Sequence, residues 1–330
     1  MKLTNKNILV TGAGGFIGSH LVERLVDEGC KVRALVHYNS SGKWGNIEIL
    51  PDQVKKEIEI FPGDITDPFS VKKAVEGCEI VFHLAALIAI PYSYNAPHSY
   101  VATNVTGTLN VMEASRQCGV EKVVHTSTSE TYGTAIYTPI DENHPLQGQS
   151  PYSASKIGAD KIAESYHCSF NLPVATIRPF NTYGPRQSAR AVIPTIISQA
   201  LAGKTRIRIG SLTPVRDFSY VKDTVDGFVK MALSDRSVGE LINVGFGAGI
   251  TIGELAEKII KIIGGKVEII SDDQRVRPKN SEVMELICSN NKAKELIDWE
   301  PHYNLMDGIK ETVSFIQDNL DLYKTEIYNI

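Results

Sequence analysis

The stretch Ile8-Leu9-Val10-Thr11-Gly12-Ala13-Gly14-Gly15-Phe16-Ile17-Gly18 decides the reading of this chain. Ile8 to Val10 is a short aliphatic run of the kind that forms a buried strand, and from Phe16 onward apolar residues recur at helical spacing. Gly12, Gly15 and Gly18 punctuate the passage between them. By themselves they mark a turn. Between the first strand and first helix of a βαβ unit they do more. Gly12 permits the tight turn, Gly15 lets a pyrophosphate approach the backbone N–H groups of the helix start at Phe16 and Ile17, and Gly18 allows close packing. The spacing predicts a dinucleotide site.

Working outward, Asn7–Val10, Lys31–Val36, Ile58–Phe61, Ile80–His83, Lys122–Thr126 and Val174–Arg178 read as strands. Gly15–Glu28, Pro68–Glu76, Pro97–Cys118 and Pro151–Phe170 read as the helices between them. That alternation implies an α/β fold, a doubly wound parallel sheet. After Arg178 the rhythm breaks, with further helices expected at Ala191–Ala202, Val221–Leu233, Ile252–Ile263 and Leu305–Gln317. We expect a nucleotide-binding domain over residues 1–180, to which 215–247 returns. A smaller α/β lobe would then comprise 181–214 and 248–330.

Composition narrows the partners. With 34 basic and 38 acidic side chains the net charge is −4, which offers no broad positive field for nucleic acid or an anionic membrane surface. The longest apolar run, Val81 to Ile90, is interrupted by His83, and the first ten residues lack the apolar segment of a signal peptide. A cytoplasmic protein is expected. Cys30, Cys78, Cys118, Cys168 and Cys288 are odd in number and scattered, so they suggest buried small hydrophobes rather than disulfides or a zinc site. No two histidines stand at metal-binding helical spacing, so no metal is expected.

The glycine spacing G-x-x-G-x-x-G resembles the extended short-chain dehydrogenase/reductase family, a Rossmann fold, and further matches follow in order. Asp64-Ile65 after the third strand corresponds to the family's adenine contact. Leu84-Ala85-Ala86 matches the loop over the cofactor, and Asn104 a helix position beside the active site. One departure stands out. The second strand ends Val36-His37-Tyr38-Asn39-Ser40-Ser41, without the acid that binds the adenosine ribose of NAD. His37, Ser40, Ser41 and Lys43 either receive a 2′-phosphate or form a solvated loop with no preference, so both NAD and NADP stay open.

Tyr152-Ser-Ala-Ser-Lys156 places a tyrosine and a lysine on one helical face, about 5–6 Å apart at Cβ. It follows the fifth strand and the hydroxyl cluster Thr126-Ser127-Thr128-Ser129, the order the family shows. The resemblance implies that Lys156 holds the nicotinamide ribose and lowers the pKa of Tyr152, which takes the proton of a sugar hydroxyl oriented by Thr128. Arg178-Pro-Phe-Asn-Thr-Tyr183-Gly-Pro-Arg186 resembles the family's R-x-x-N-x-Y-G-P segment. There the asparagine, here Asn181, approaches the substrate diphosphate, and the tyrosine lies near the nicotinamide. Arg186, Arg216 and Arg277 resemble sugar-nucleotide contacts, and guanidinium forks suit phosphate oxygens.

Glu130, in Thr128-Ser129-Glu130, separates reactions within the family. A sugar 4-epimerase needs only hydride transfer and rotation of the ketone, whereas a 4,6-dehydratase also needs a base at C5, which Glu130 supplies. Many dehydratases carry Thr-Asp-Glu, with the aspartate as acid for the leaving hydroxyl. Here Ser129 stands in that place, so Glu130 itself or a water relayed by Ser129 must protonate it. Together with the stretch Ala86-Leu-Ile88-Ala-Ile-Pro-Tyr92, where Ile88 would touch substrate, these motifs resemble the 4,6-dehydratases of nonulosonic (legionaminic or pseudaminic type) acid pathways. The resemblance implies a UDP- or GDP-linked N-acetylglucosamine substrate, a tightly held and recycled NAD or NADP, and a homodimer through a four-helix bundle of Pro97–Cys118 and Pro151–Phe170. A UDP-hexose or N-acetylhexosamine 4-epimerase is the alternative, and a non-catalytic NAD(P)-sensing protein the alternative of another class.

Overall fold

The aliphatic run of the opening stretch is the centre of a parallel sheet. The computed structural model describes residues 2–265 and 267–329, so residues 1, 266 and 330 of the expected lobes lie outside it. In chain order the strands are β1 (Asn7–Thr11), β2 (Lys31–His37), β3 (Ile58–Gly63), β4 (Ile80–His83), β5 (Lys122–Thr126), β6 (Val174–Pro179), β7 (Asn181–Tyr183), β8 (Arg206–Ile209), β9 (Val215–Tyr220), β10 (Leu241–Val244), β11 (Gly249–Thr251), β12 (Glu268–Ser271) and β13 (Glu285–Leu286). Among the described residues the main sheet runs β10-β6-β5-β4-β1-β2-β3. Every pairing in it is parallel. Ile8, Leu9 and Val10 are fully buried because helices cover both faces.

The order reverses between β1 and β4. The loops leaving those two strands therefore diverge and open a crevice, where ligands bind in doubly wound sheets. The helix Val221–Leu233 and strand β10 return to this sheet, while β9 pairs with β7, β11 and β13 in a second one. That second sheet carries Arg216 and Asn181.

Helix Pro151–Phe170 is the best specified of the long helices. Ser150 caps it with a capping box to Ser153, proline occupies the first turn, and Asn171 ends it in the left-handed conformation at φ 55°. The expected single helix Pro97–Cys118 is instead three pieces: α-helix Pro97–Tyr100, a π-helical turn Val101–Thr106, and α-helix Gly107–Cys118. A π turn inserts an extra residue and re-aims its side chains, and here it carries Asn104 inward. The cysteines also depart from expectation: Cys30, Cys78 and Cys288 are buried, but Cys118 is half-buried and Cys168 exposed.

Candidate active site

The glycine turn is built by close approach. Gly12 has φ +71°, and a Cβ there would lie 2.8 Å from the backbone nitrogen of Ala85; a Cβ on Gly18 would lie 2.2 Å from the carbonyl oxygen of Gly12. Gly15 is the N-cap of helix Phe16–Asp27, with no side-chain cap and no acid in the first turn. The first N–H groups, at Phe16 and Ile17, thus lack intrahelical acceptors and face the crevice end of β1. This cradle fits the pyrophosphate of a dinucleotide. Thr11 holds the facing loop, its hydroxyl oxygen accepting the N–H groups of Leu84 and Ala85 at 3.1 Å each. His37 is exposed at the end of β2, 4.0 Å from Asp64. Asp64 accepts from the N–H and hydroxyl of Thr66, and Ile65 packs where Gly107 leaves room.

Asn104 ties this loop to the catalytic helix. Its Oδ1 accepts the Leu87 N–H at 2.8 Å, and its Nδ2 donates to the Leu87 carbonyl and to Ser155 Oγ, both at 2.9 Å. Ile88, next along the loop, is 54% exposed.

Tyr152 and Lys156 lie buried in the first turns of Pro151–Phe170. Tyr152 hydrogen-bonds Thr128, which caps the 3₁₀ turn Ser129–Tyr132. Burial pushes the phenol above its ordinary range, the Thr128 bond opposes this, and the charges of Glu130 and Asp160 push it further up. Lys156 donates to the Thr126 carbonyl at 2.6 Å. In the free protein burial outweighs every influence that lowers the phenol. Burial pulls the Lys156 ammonium down, and Asp160 supports it. Asp160 accepts from Ser127 and Arg178 and bonds His125. Burial would raise its carboxyl, but the His125 bond and the charges of Arg178 and Lys156 hold it well below the usual range.

Facing this cluster is a second one. The Glu130 carboxylate, 12% exposed, lies 3.7 Å from Arg277 Nη1, and Glu282 lies 3.7 Å from the same nitrogen and 3.3 Å from Arg216 Nη2. Arg277 Nη1 and Asn181 Oδ1 are buried without hydrogen-bond partners. Asn181 pairs with Phe218 on β9, two residues from Arg216 and so on the same face of that sheet. The structure thus brings Glu130, Arg216 and Arg277 together. It places Arg186 elsewhere, in an ion pair with Glu23 at 2.7 Å on the helix that follows the glycine turn. The Tyr183 hydroxyl donates to the Leu305 carbonyl, and its ring is buried against Tyr220 and Phe218.

The family described as GDP-mannose 4,6 dehydratase matches residues 9–312. The chain belongs to that family. A UDP-glucose 4-epimerase of Mycolicibacterium smegmatis is 35% identical over 317 residues, spanning 94% of this chain and 98% of that one. Among solved structures, DesIV, a dTDP-glucose 4,6-dehydratase of Streptomyces venezuelae with NAD bound, matches with a TM-score of 0.86 at 27% identity, over 96% of this chain and 99% of its own. A UDP-N-acetylglucosamine 4-epimerase of Methanobrevibacter ruminantium M1, in complex with UDP-N-acetylmuramic acid, matches with a TM-score of 0.86 at 30% identity, over 96% and 99%. The chain is thus an extended short-chain dehydrogenase/reductase, in an enzyme family of NAD-dependent nucleotide-sugar dehydratases and 4-epimerases. No helix among its described residues is long and apolar enough to cross a membrane.

Family membership does not account for every residue the site uses. Glu282 carries no local signal: an acid five positions past Arg277 looks like surface charge, and only tertiary folding sets it between two arginines. Gly14 is needed too, since a Cβ there would meet the Trp44 carbonyl oxygen at 2.5 Å. The doublet Gly14-Gly15 was the available signal.

Proposed function

We propose that this enzyme is a cytoplasmic NAD(P)-dependent 4,6-dehydratase that removes water from a UDP- or GDP-linked N-acetylglucosamine, leaving a 4-keto-6-deoxy sugar, with or without inversion at C5. In this reading residues 181–214 and 248–330 hold the sugar nucleotide. The observation that carries it is the place of Glu130: a largely buried carboxylate, beside Arg277, whose charge acts directly on the catalytic phenol. A 4-epimerase has no use for a base there. The similarity to dehydratases and to an N-acetylglucosamine epimerase supports the substrate class. A nonulosonic acid pathway would use such a product.

Tyr152 takes the C4 hydroxyl proton while Thr128 holds that hydroxyl, and Lys156 with Asp160 behind it fixes the cofactor ribose. Gly12, Gly15, Phe16, Ile17 and Gly18 cradle the pyrophosphate, Asp64 and Ile65 meet the adenine, and Leu84 to Ala86 cover the ring. When bound, the nicotinamide supplies a hydride acceptor and a positive charge near the phenol, which favours the phenolate. That nicotinamide would accept the C4 hydride and give it back at C6, so no cofactor would be consumed overall. Arg216, Arg277 and Asn181 hold the diphosphate. Glu130 removes the C5 proton acidified by the C4 ketone.

Mass spectrometry over a panel of UDP- and GDP-sugars in deuterated water tests this. We expect a product lighter by one water that carries deuterium at C5. Glu130→Gln should keep the hydride step and block elimination by about 10²–10⁴-fold. A product of unchanged mass without deuterium at C5 would overturn the dehydratase in favour of the 4-epimerase.

A further inference from the structure

A fully enclosed histidine that takes no part in the chemistry above joins the cofactor side of the site to the catalytic helix. We propose that His83 is a positioning residue for the hydride step: through it the turn and loop that hold the cofactor are set in register with Tyr152. The proposal rests on the place given to Tyr152 in that step, which dehydratases and 4-epimerases share, and not on the choice between the two reactions.

One unbroken line of hydrogen bonds carries it. Thr11 Oγ1 accepts the N–H groups of Leu84 and Ala85 at 3.1 Å each and lies 2.8 Å from His83 Nδ1. His83 Nε2 lies 3.0 Å from Thr108 Oγ1, which donates to the Asn104 carbonyl at 2.6 Å. The Asn104 side chain holds both backbone groups of Leu87 and donates to Ser155 Oγ, which donates in turn to the Tyr152 carbonyl at 2.7 Å. The line thus begins on β1 beside the glycine turn, crosses β4 at His83, enters the π turn and ends on the backbone of the catalytic tyrosine. Both ends of the cofactor loop, Leu84-Ala85 and Leu87, hang from it.

The proton positions follow from the partners. Both lone pairs of the Thr11 hydroxyl are taken by N–H groups, so its own proton goes to His83 Nδ1. The Thr108 hydroxyl proton is committed to Asn104, so that oxygen accepts from His83 Nε2–H. The two ends demand the same form, a neutral imidazole with its proton on Nε2. Burial, and then the charges of His125 and Lys156, hold the His83 imidazole well below its ordinary range and favour that neutral form. The His125 ring, 5.6 Å away, is itself tied to Asp160. A histidine that merely filled the core could take its partners anywhere. Both partners of His83 belong to the clamps on the cofactor loop, and cutting either bond leaves a buried hydroxyl short of a partner.

His83→Phe removes both bonds with a ring of similar size, whereas His83→Gln offers an amide oxygen to Thr11 and an amide N–H to Thr108. Escape of NADH or NADPH from loaded enzyme, read by fluorescence during a chase with excess oxidised cofactor, should be about 10-fold faster in His83→Phe and largely restored in His83→Gln. The hydride step, followed as single-turnover absorbance of the reduced nicotinamide with UDP- and GDP-N-acetylglucosamine, should slow by about 10²-fold in His83→Phe, as for a misplacement of roughly 1 Å, and recover in His83→Gln. Binding of UDP or GDP, which a general loosening of the fold would weaken, should stay as in the native enzyme. Nitrogen-15 spectra of histidine-labelled protein should show His83, assigned by its absence from His83→Gln, as a neutral ring protonated at Nε2 between about pH 5 and 8. Should the Phe variant fold poorly, Thr108→Val cuts the line one link further on and should show the same pair of kinetic effects. Native cofactor release or native hydride transfer in His83→Phe, equal losses in the Phe and Gln variants, or a His83 ring that is charged or protonated at Nδ1 each overturns the role. Nucleotide binding that weakens in step with cofactor retention overturns it too, because His83 would then support the fold at large. If no sugar nucleotide reduces the native cofactor, the assignment of Tyr152 has failed instead, and cofactor release still judges whether His83 holds the loop.

Discussion

Tyr152 and Lys156 stand one helical turn apart and do different structural work. The tyrosine hydroxyl meets Thr128, so Tyr152→Phe removes that hydrogen bond and should lower stability by only about 1 kcal/mol while abolishing hydride transfer. Lys156 is 5% exposed above the buried Asp160–Arg178 pair, so its loss reaches the core. Lys156→Ala removes a charge that Asp160 answers to and should destabilise by on the order of 3 kcal/mol, as when one member of a buried charge group is deleted. Thermal melting set beside single-turnover absorbance of the reduced nicotinamide separates the two effects. Normal reduction in either variant would refute the assignment. Tyr152, Lys156, Thr128 and Glu130 were legible because their order along the chain follows the strands that carry them. Glu282, Asp160 and the true partner of Arg186 were not, since each acts through a contact between distant segments that no local spacing encodes.

Elements were legible where a period had room to repeat. Strands Ile80–His83 and Lys122–Thr126 and helices Pro151–Phe170 and Val221–Leu233 have the ends their patterns predict. Strands of two or three residues, such as β7, β11 and β13, carry too few side chains to show alternation. The π turn at Val101–Thr106 was hidden for another reason: its extra residue serves the bonds of Asn104, a tertiary demand on a sequence whose local preference is helical. That turn also leaves Val101 54% exposed, with Leu109 at 38% further along. The helices Gly107–Cys118 and Pro151–Phe170 pack on one another, and we propose that their outward faces form a four-helix bundle with a second copy, giving a homodimer. Sedimentation at micromolar concentration should report twice the mass of the 36.2 kDa chain. Introducing a charge with Leu109→Glu should dissociate it. A native protein that sediments as a monomer would remove the proposal.

Across the whole molecule, the glycine-turn helix is latched to the segment that follows Asn181. His20 Nε2 meets the Pro185 carbonyl at 2.9 Å, Arg186 pairs with Glu23, and Asn46 donates to the Arg186 carbonyl. The latch has a pH dependence whose sign can be worked out. Burial, then the charge of Arg186, push the His20 imidazole down to about 4, against the bond to Pro185. An unfolded histidine titrates near 6.5, so between roughly 4 and 6.5 the unfolded chain binds the extra proton. The contribution of the neutral ring is therefore complete above pH 6.5 and lost as pH falls toward 4. Asp217 works the other way. Burial pushes it up to about 6 despite three backbone N–H groups, so the folded state holds the extra proton there and gains stability as pH falls below 6. Because the two oppose, total stability against pH cannot isolate either, and the comparison must be between variants. His20→Gln keeps a donor for the Pro185 carbonyl and cannot titrate, so its melting temperature should fall less than that of the native protein between pH 7 and pH 4.5. Equal falls in the two proteins would show that the imidazole is not the group that makes the latch sensitive to acid.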